Sequence, residues 1–282
     1  MILQKEIRDK AHEWQVPSET VDKDYVLGHF LSVFVEHYKE DLVFKGGTCL
    51  RKCYIDQYRF SEDLDFTALN KGFVLEQKTL ETIAKKVAKQ TGILFFIESV
   101  KPMLFKDSLK GYQVKIKYWG ANHSKNQQPS PHNRWNTKIK LEVSTDELML
   151  LDAESKDIIH PYSDALTGSK QCKCYSLIEV VAEKLRALKQ RSYTAPRDFY
   201  DLYHLTQNFK KEDWEYIKPI FLRKMEHKNL EYNTPEDLIH DSKLVNAERA
   251  WKASVEHQIK QGQQPEVKEI INTVAKRIKI YL

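Results

Sequence analysis

The chain has 282 residues, 41% hydrophobic and 30% charged, which suffices for one large core or two moderate ones and excludes a disordered polymer. No window approaches the roughly 18 continuous apolar residues of a membrane span. The start Met1-Ile2-Leu3-Gln4-Lys5-Glu6 is unlike a signal peptide, so a cytoplasmic protein with no membrane partner is expected. A net charge of +5 admits a nucleic-acid substrate without demanding one.

In chain order, residues 20–40 carry Tyr25, Val26, Phe30, Leu31, Phe34 and Val35 near a 3.6 period, which predicts a helix backing a sheet. Residues 45–54 follow as a glycine loop with a short helix. A further helix is predicted over 75–90, with Gly92 placed to stop it. Residues 93–100 and 112–119 are rich in aromatic and branched side chains and read as strands. In 138–144, Lys140 and Glu142 alternate with Ile139, Leu141 and Val143, a third strand. The polar stretch 120–135 reads as a long mobile loop of the kind that often covers a site.

Thr167-Gly168-Ser169 breaks the pattern, and nearly everything beyond it is helical in period. The predicted domains are therefore 1–167, an α+β catalytic domain with a mixed sheet and flanking helices, and 168–282, a helical domain contributing to the active-site cleft. Ser176-Leu177-Ile178-Glu179 forms a capping box opening a helix to about Gln190, and Pro196, Pro235 and Pro265 suit the starts of later helices. Cys49 with Cys53 and Cys172 with Cys174 match no common zinc spacing, which leaves reduced structural thiols as the reading.

The chemistry concentrates in residues 44–66, FKGGTCLRKCYIDQYRFSEDLDF. On a strand, Asp63 and Asp65 face one side, suited to a metal ion, while Leu64 and Phe66 face the core. Upstream, Gly46 and Gly47 remove two Cβ atoms where backbone must approach a ligand, and Thr48 adds a hydroxyl able to donate to phosphate. The spacing is not that of a Walker loop, and a bare Gly-Gly is commonly only a turn. Its weight comes from the acids that follow, with Lys45, Arg51 and Arg59 as phosphate-binding candidates. Glu142 is the natural third carboxylate for nucleotidyl transfer, although an amphipathic strand exposes polar residues in any case. In the second region, Lys184 lies within the apolar stripe Leu177, Val180, Val181, Leu185 and Leu188, placed to meet a triphosphate or merely to snorkel. Asp198 shares a face with Leu202 and Leu205, and Asp201 sits at its edge. A polar network with Lys184 or Arg197 is expected between the domains.

These residues resemble the AbiEii/AbiGii-type toxin nucleotidyltransferases of the DNA polymerase beta-like superfamily, which includes the MenT toxins. The resemblance rests on Phe44-Lys45-Gly46-Gly47-Thr48-x-Leu50, Arg59-x-Ser61-x-Asp63-Leu64-Asp65-Phe66 and Lys138-x-Lys140-x-Glu142-Val143. It extends to Ala182-Glu183-Lys184-Leu185 with Arg197-Asp198-x-x-Asp201-Leu202, and to an entry helix at Val21-Asp22-Lys23-Asp24-Tyr25-Val26-Leu27. Thr48 stands where serine is common, and Glu142 where aspartate is common. The resemblance implies Mg²⁺ held by Asp63, Asp65 and Glu142, with Lys184 and Asp198 completing the catalytic set. It further implies that NTP is bound by Lys45, Gly46, Gly47, Thr48, Arg59, Ser61, Lys140, Arg197 and Asp201. The implied reaction moves a nucleoside monophosphate onto an acceptor such as the 3′ end of tRNA, under restraint by a cognate antitoxin. Alternatives are transfer to a protein hydroxyl and a catalytically silent nucleic-acid or partner binding module. A metal-dependent nuclease would not need the Gly-Gly-Thr segment.

Overall fold

Residues 1–124, 126–191, 195–260 and 265–282 are described by the computed structural model. They form two units, one of Met1–Glu147 with Ala153–Cys174 and one of Leu148–Asp152 with Tyr175–Leu282.

The first unit begins with helices α1 (Gln4–Trp14) and α2 (Ser18–His37). A seven-stranded sheet follows, in spatial order β3-β4-β5-β2-β1-β7-β6. Its strands are β1 (Leu42–Lys45), β2 (Asp63–Ala68), β3 (Leu94–Phe105), β4 (Ser108–Trp119), β5 (Lys138–Ser144), β6 (Glu154–Asp157) and β7 (Gln171–Cys174). The sheet is mixed, because β2 runs parallel to β5 and β1 parallel to β7 while the other neighbours are antiparallel. This is the expected mixed sheet with flanking helices.

Alternation decides which face is covered. Leu64, Phe66, Ile139, Leu141, Val143, Val114 and Ile116 are all buried on one side. α2 lies against that side through Phe34, 5.0 Å from the Phe66 ring, and Phe30, 5.4 Å from Phe95. Each such ring contributes about 1.5–3 kcal/mol by leaving water. Helix α4 (Gln77–Thr91) packs beside α2 and ends at Gly92, whose φ of +80° supplies the left-handed stop.

α2 also carries two buried acids. Asp24 accepts from Arg51 Nε and Lys52 Nζ, both at 2.7 Å, and from the Tyr162 hydroxyl at 2.8 Å. Burial favours protonating Asp24, but the charges of Arg51 and Lys52 outweigh it and hold the carboxyl well below the usual range. The network anchors Leu50–Tyr54, a π-helical turn closed by Ile55 N–H donating to the Leu50 carbonyl at 2.8 Å. Among the described residues of 120–135, His123 stacks on Trp119 at 3.6 Å and His132 on Phe96 at 3.8 Å, so this segment is held against β3 and β4.

The units divide after Cys174, not at residue 167. Gln171–Cys174 pairs with both β1 and β6, which the short polar sequence did not announce. The second unit contains α5 (Leu177–Gln190), α6 (Pro196–Leu205), α7 (Lys211–His227), α8 (Glu236–Ile239), α9 (Asp241–Ser254) and α10 (Val267–Tyr281). Ser176 caps α5 by accepting from Glu179 N–H at 3.2 Å. The reciprocal half of the predicted box is replaced. The Glu179 carboxylate instead accepts from Leu151 N–H at 3.0 Å and pairs with Lys224 at 2.5 Å, and Lys224 also donates to the Leu148 carbonyl at 2.6 Å. These bonds tie 148–152 to the helical unit.

Candidate active site

The other side of the sheet collects the acids. In the parallel register of β2 and β5, Asp63 lies opposite Lys140 and Asp65 opposite Glu142, while the antiparallel register of β1 puts Lys45 opposite Asp65. Lys45, Asp65 and Glu142 thus form one row across three strands, with Asp63 in the next row on the same face. Glu142 is exposed. Its pKa is raised, first by desolvation and then by the negative charges of Asp63 and Glu147, against which Lys45 and Lys140 act. Lys45 Nζ stands 3.9 Å from Glu147 Oε1, bringing in a fourth acid.

β1 runs directly into α3 (Gly46–Cys49), where the two glycines do different work. Gly46 has φ +81°, and a Cβ there would stand 2.5 Å from Asp65 Oδ2. A Cβ on Gly47 would meet Arg59 Nη2 at 2.7 Å and Ser61 Oγ at 2.9 Å. The loop therefore closes onto the first carboxylate strand through Gly46 and onto the segment before it through Gly47. Arg59 is buried and donates to the Phe60 carbonyl at 3.2 Å. Thr48 differs from expectation. Its buried hydroxyl donates to the Asp63 carbonyl at 2.5 Å, so it fastens α3 to β2 and its proton is not directed at a phosphate.

Asp63, Asp65 and Glu142 offer hard carboxylate oxygens on one face, a donor set that fits Mg²⁺. Among the described residues, the ligand atoms of two other groups all lie within 4.8 Å of one another: Cys49, Cys53 and Cys174, and His29, His160 and Asp164. Mg²⁺ completes its octahedron with water and substrate phosphate oxygens, so an all-protein cage is not required.

In the helical unit, Lys184 Nζ lies 2.8 Å from Asp198 Oδ1 and 2.6 Å from Asp201 Oδ2, with both aspartates buried. The lysine within the apolar stripe is thus held between two carboxylates. Asp201 is fully buried and not at the edge of the face. Asp198 also pairs with Arg191, whereas Arg197 is exposed. This network lies within the helical unit, where the expectation placed one between the domains, and Arg191 takes part where Arg197 was expected.

Residues 30–273 match the family described as Nucleotidyl transferase AbiEii toxin, Type IV TA system. The chain belongs to this AbiEii family. It is accordingly a nucleotidyltransferase. MenT4, a nucleotidyltransferase toxin of Mycobacterium tuberculosis, has a similar fold, with TM-score 0.60 and 19% identity over 99% of this chain and 89% of that one. A protein of H. pylori described as a putative nucleotidyltransferase aligns at TM-score 0.46 and 15% identity over 91% of this chain and 95% of that one. No curated protein matches the chain.

Sequence reasoning missed Glu147 and Arg191. Glu147 follows β5 just after the bend at Thr145 and Asp146, with no periodicity to mark it, and Arg191 lies just beyond the end of α5, seven residues before its partner. An arginine at a helix C-terminus is common for dipole reasons alone, so its position carried no distinct signal.

Proposed function

We propose that this AbiEii-family protein is a Mg²⁺-dependent toxin that transfers a nucleoside monophosphate from an NTP to RNA, with the 3′ end of tRNA as acceptor. The observation that carries the proposal is the register of β1, β2 and β5, which aligns Lys45, Asp65 and Glu142 beside Asp63 while Gly46 abuts Asp65. In this reading Asp63, Asp65 and Glu142 hold the metal. When bound, Mg²⁺ supplies charge neutralisation and alignment of the triphosphate. Lys45, Gly46, Gly47, Arg59, Ser61 and Lys140 form the nucleotide-binding side, with Arg59 and Lys140 supplying positive charge. Thr48 acts by positioning the loop. Lys184, Asp198 and Asp201 are the helical unit's functional cluster.

An RNA acceptor is favoured over a protein hydroxyl by the lysines beside the acids. On the same sheet face, Lys140 is paired with Lys115 and Lys138 with Lys117, a basic tract that suits a polyanion. A type IV toxin family also supports a cognate antitoxin as partner. No helix of the described chain is long and apolar enough to cross a membrane. The test incubates full-length protein with total RNA, Mg²⁺ and each labelled NTP in turn. Label is expected in tRNA with the wild type and not with Asp63→Ala, while circular dichroism shows that variant folded. Label migrating with a polypeptide would replace the RNA reading. RNA binding with no turnover of any NTP would establish a silent binding module.

A further inference from the structure

We propose that Cys49, Cys53, Cys172 and Cys174 form a tetrathiolate site for one structural zinc ion, separate from the carboxylate site. The chain has four cysteines, and the fold draws them into one cluster although the two pairs are far apart in sequence. Cys49 and Cys53 lie four residues apart on the helical segment that leaves β1. Cys172 and Cys174 lie two apart on β7 and share a face. β7 is the parallel neighbour of β1, with Phe44 opposite Cys174, and this pairing brings the two sets together.

All four side chains are buried. The sulfurs of Cys49, Cys53 and Cys174 lie within 4.8 Å of one another, and the Cys172 thiol lies beside those of Cys53 and Cys174 while donating to the Lys173 carbonyl at 3.4 Å. Four thiolates around zinc at about 2.3 Å stand about 3.8 Å apart, so three sulfurs are gathered already and Cys172 would turn from the Lys173 carbonyl to complete the set. Buried cysteines act as small apolar residues, and here every cysteine of the chain falls in one cluster of soft donors. Soft sulfur donors select zinc, whereas Mg²⁺ takes hard oxygens, so the two sites do not compete. The ion would fasten the turn beginning at Gly46 to β7, fixing the backbone that presents Gly46 to Asp65 and Gly47 to Arg59.

The experiment uses the full chain purified under reducing conditions from zinc-supplemented cells, with elemental analysis and thiol titration. One zinc per chain is expected, released when a mercurial reagent titrates the four thiols. Protein grown with cobalt should show thiolate-to-metal charge transfer and tetrahedral d–d bands. Asp63→Ala should retain the zinc in full, and Cys172→Ser should lose it at least tenfold and melt at lower temperature. The cobalt spectrum of the wild type decides the matter even where a cysteine variant does not fold. Metal-free protein with four free thiols, a disulfide-bonded mass, or iron in place of zinc would each overturn the proposal.

Discussion

Gly46→Ala isolates the reason for the glycine. Two costs follow from the structure. At φ +81°, an alanine is strained by about 1–2 kcal/mol. For a chain of this size that lowers the melting temperature by roughly 2–8 °C. The new methyl would also stand 2.5 Å from Asp65 Oδ2, so the carboxylate must retreat by about 0.5–1 Å. A displacement near 1 Å of a reacting or metal-holding group costs on the order of 100-fold in rate. Gly92 provides the control. Its φ is +80° and an added Cβ meets nothing within 4 Å, so Gly92→Ala carries the strain without the collision. Gly46→Ala should therefore melt at or below Gly92→Ala, and only Gly46→Ala should lose about 100-fold in kcat for nucleotide incorporation. Rates measured with saturating NTP, beside thermal melts of both variants, check this. Equal activity in the two variants would refute the claim that Gly46 exists to admit Asp65.

The raised pKa of Glu142, caused first by desolvation and then by Asp63 and Glu147, means that acid restores its neutral form earlier than for an ordinary glutamate. If the carboxylate is the active form, kcat/KM falls as pH drops through that raised value. Lys45→Met, removing the charge that opposes the shift, should move the acid limb to higher pH, and an unmoved limb would count against Glu142 as the titrating group. Asp22 is buried and pushed up to about 6 by desolvation, while its Oδ1 accepts from Ala121 N–H at 2.6 Å and Asn122 N–H at 3.0 Å. Because its folded pKa is raised, its ionisation opposes folding as pH climbs from about 4 through 6. A shift of about 2 units corresponds to about 2–3 kcal/mol. An asparagine Oδ1 can accept both bonds without titrating, so Asp22→Asn should gain that much over wild type between pH 4 and 7 in urea unfolding; a constant difference would refute it. Lys184→Met deprives buried Asp198 and Asp201 of a shared cation and should cost about 3–5 kcal/mol in denaturant unfolding, with Lys184→Met/Asp201→Asn recovering part of it. No recovery would mean that the ion pair is not the source of the loss.

The carboxylate face was legible because a strand has a period of two. Asp63-Leu64-Asp65-Phe66 and Lys138–Ser144 each state which side chains face out, and β5 has the bounds that its alternation predicts. β7 was not legible, since four residues of Gln-Cys-Lys-Cys have no length from which to infer pairing. Its position beside β1 is set by a register partner 130 positions away, Phe44 opposite Cys174. The same limit hid the convergence of the cysteines and the partners of Glu179, whose carboxylate serves 148–152 and Lys224 instead of closing a local box.

The glycine pair shows why local chemistry reads only halfway. A missing Cβ in sequence signals that something comes close, and a phosphate is the natural guess beside two aspartates. In the fold, Asp65 occupies the space at Gly46, while Arg59 and Ser61 occupy that at Gly47. Thr48, fastened to the Asp63 carbonyl, follows the same logic. The motif therefore builds its own wall before it can meet a nucleotide. In the proposed reading, phosphate contact would fall to groups the wall positions, the Arg59 guanidinium and the backbone of the turn, and less to the Thr48 side chain. A Thr48→Val variant should accordingly lose stability more than NTP affinity, measured as melting temperature against KM. The reverse outcome would return the hydroxyl to the phosphate.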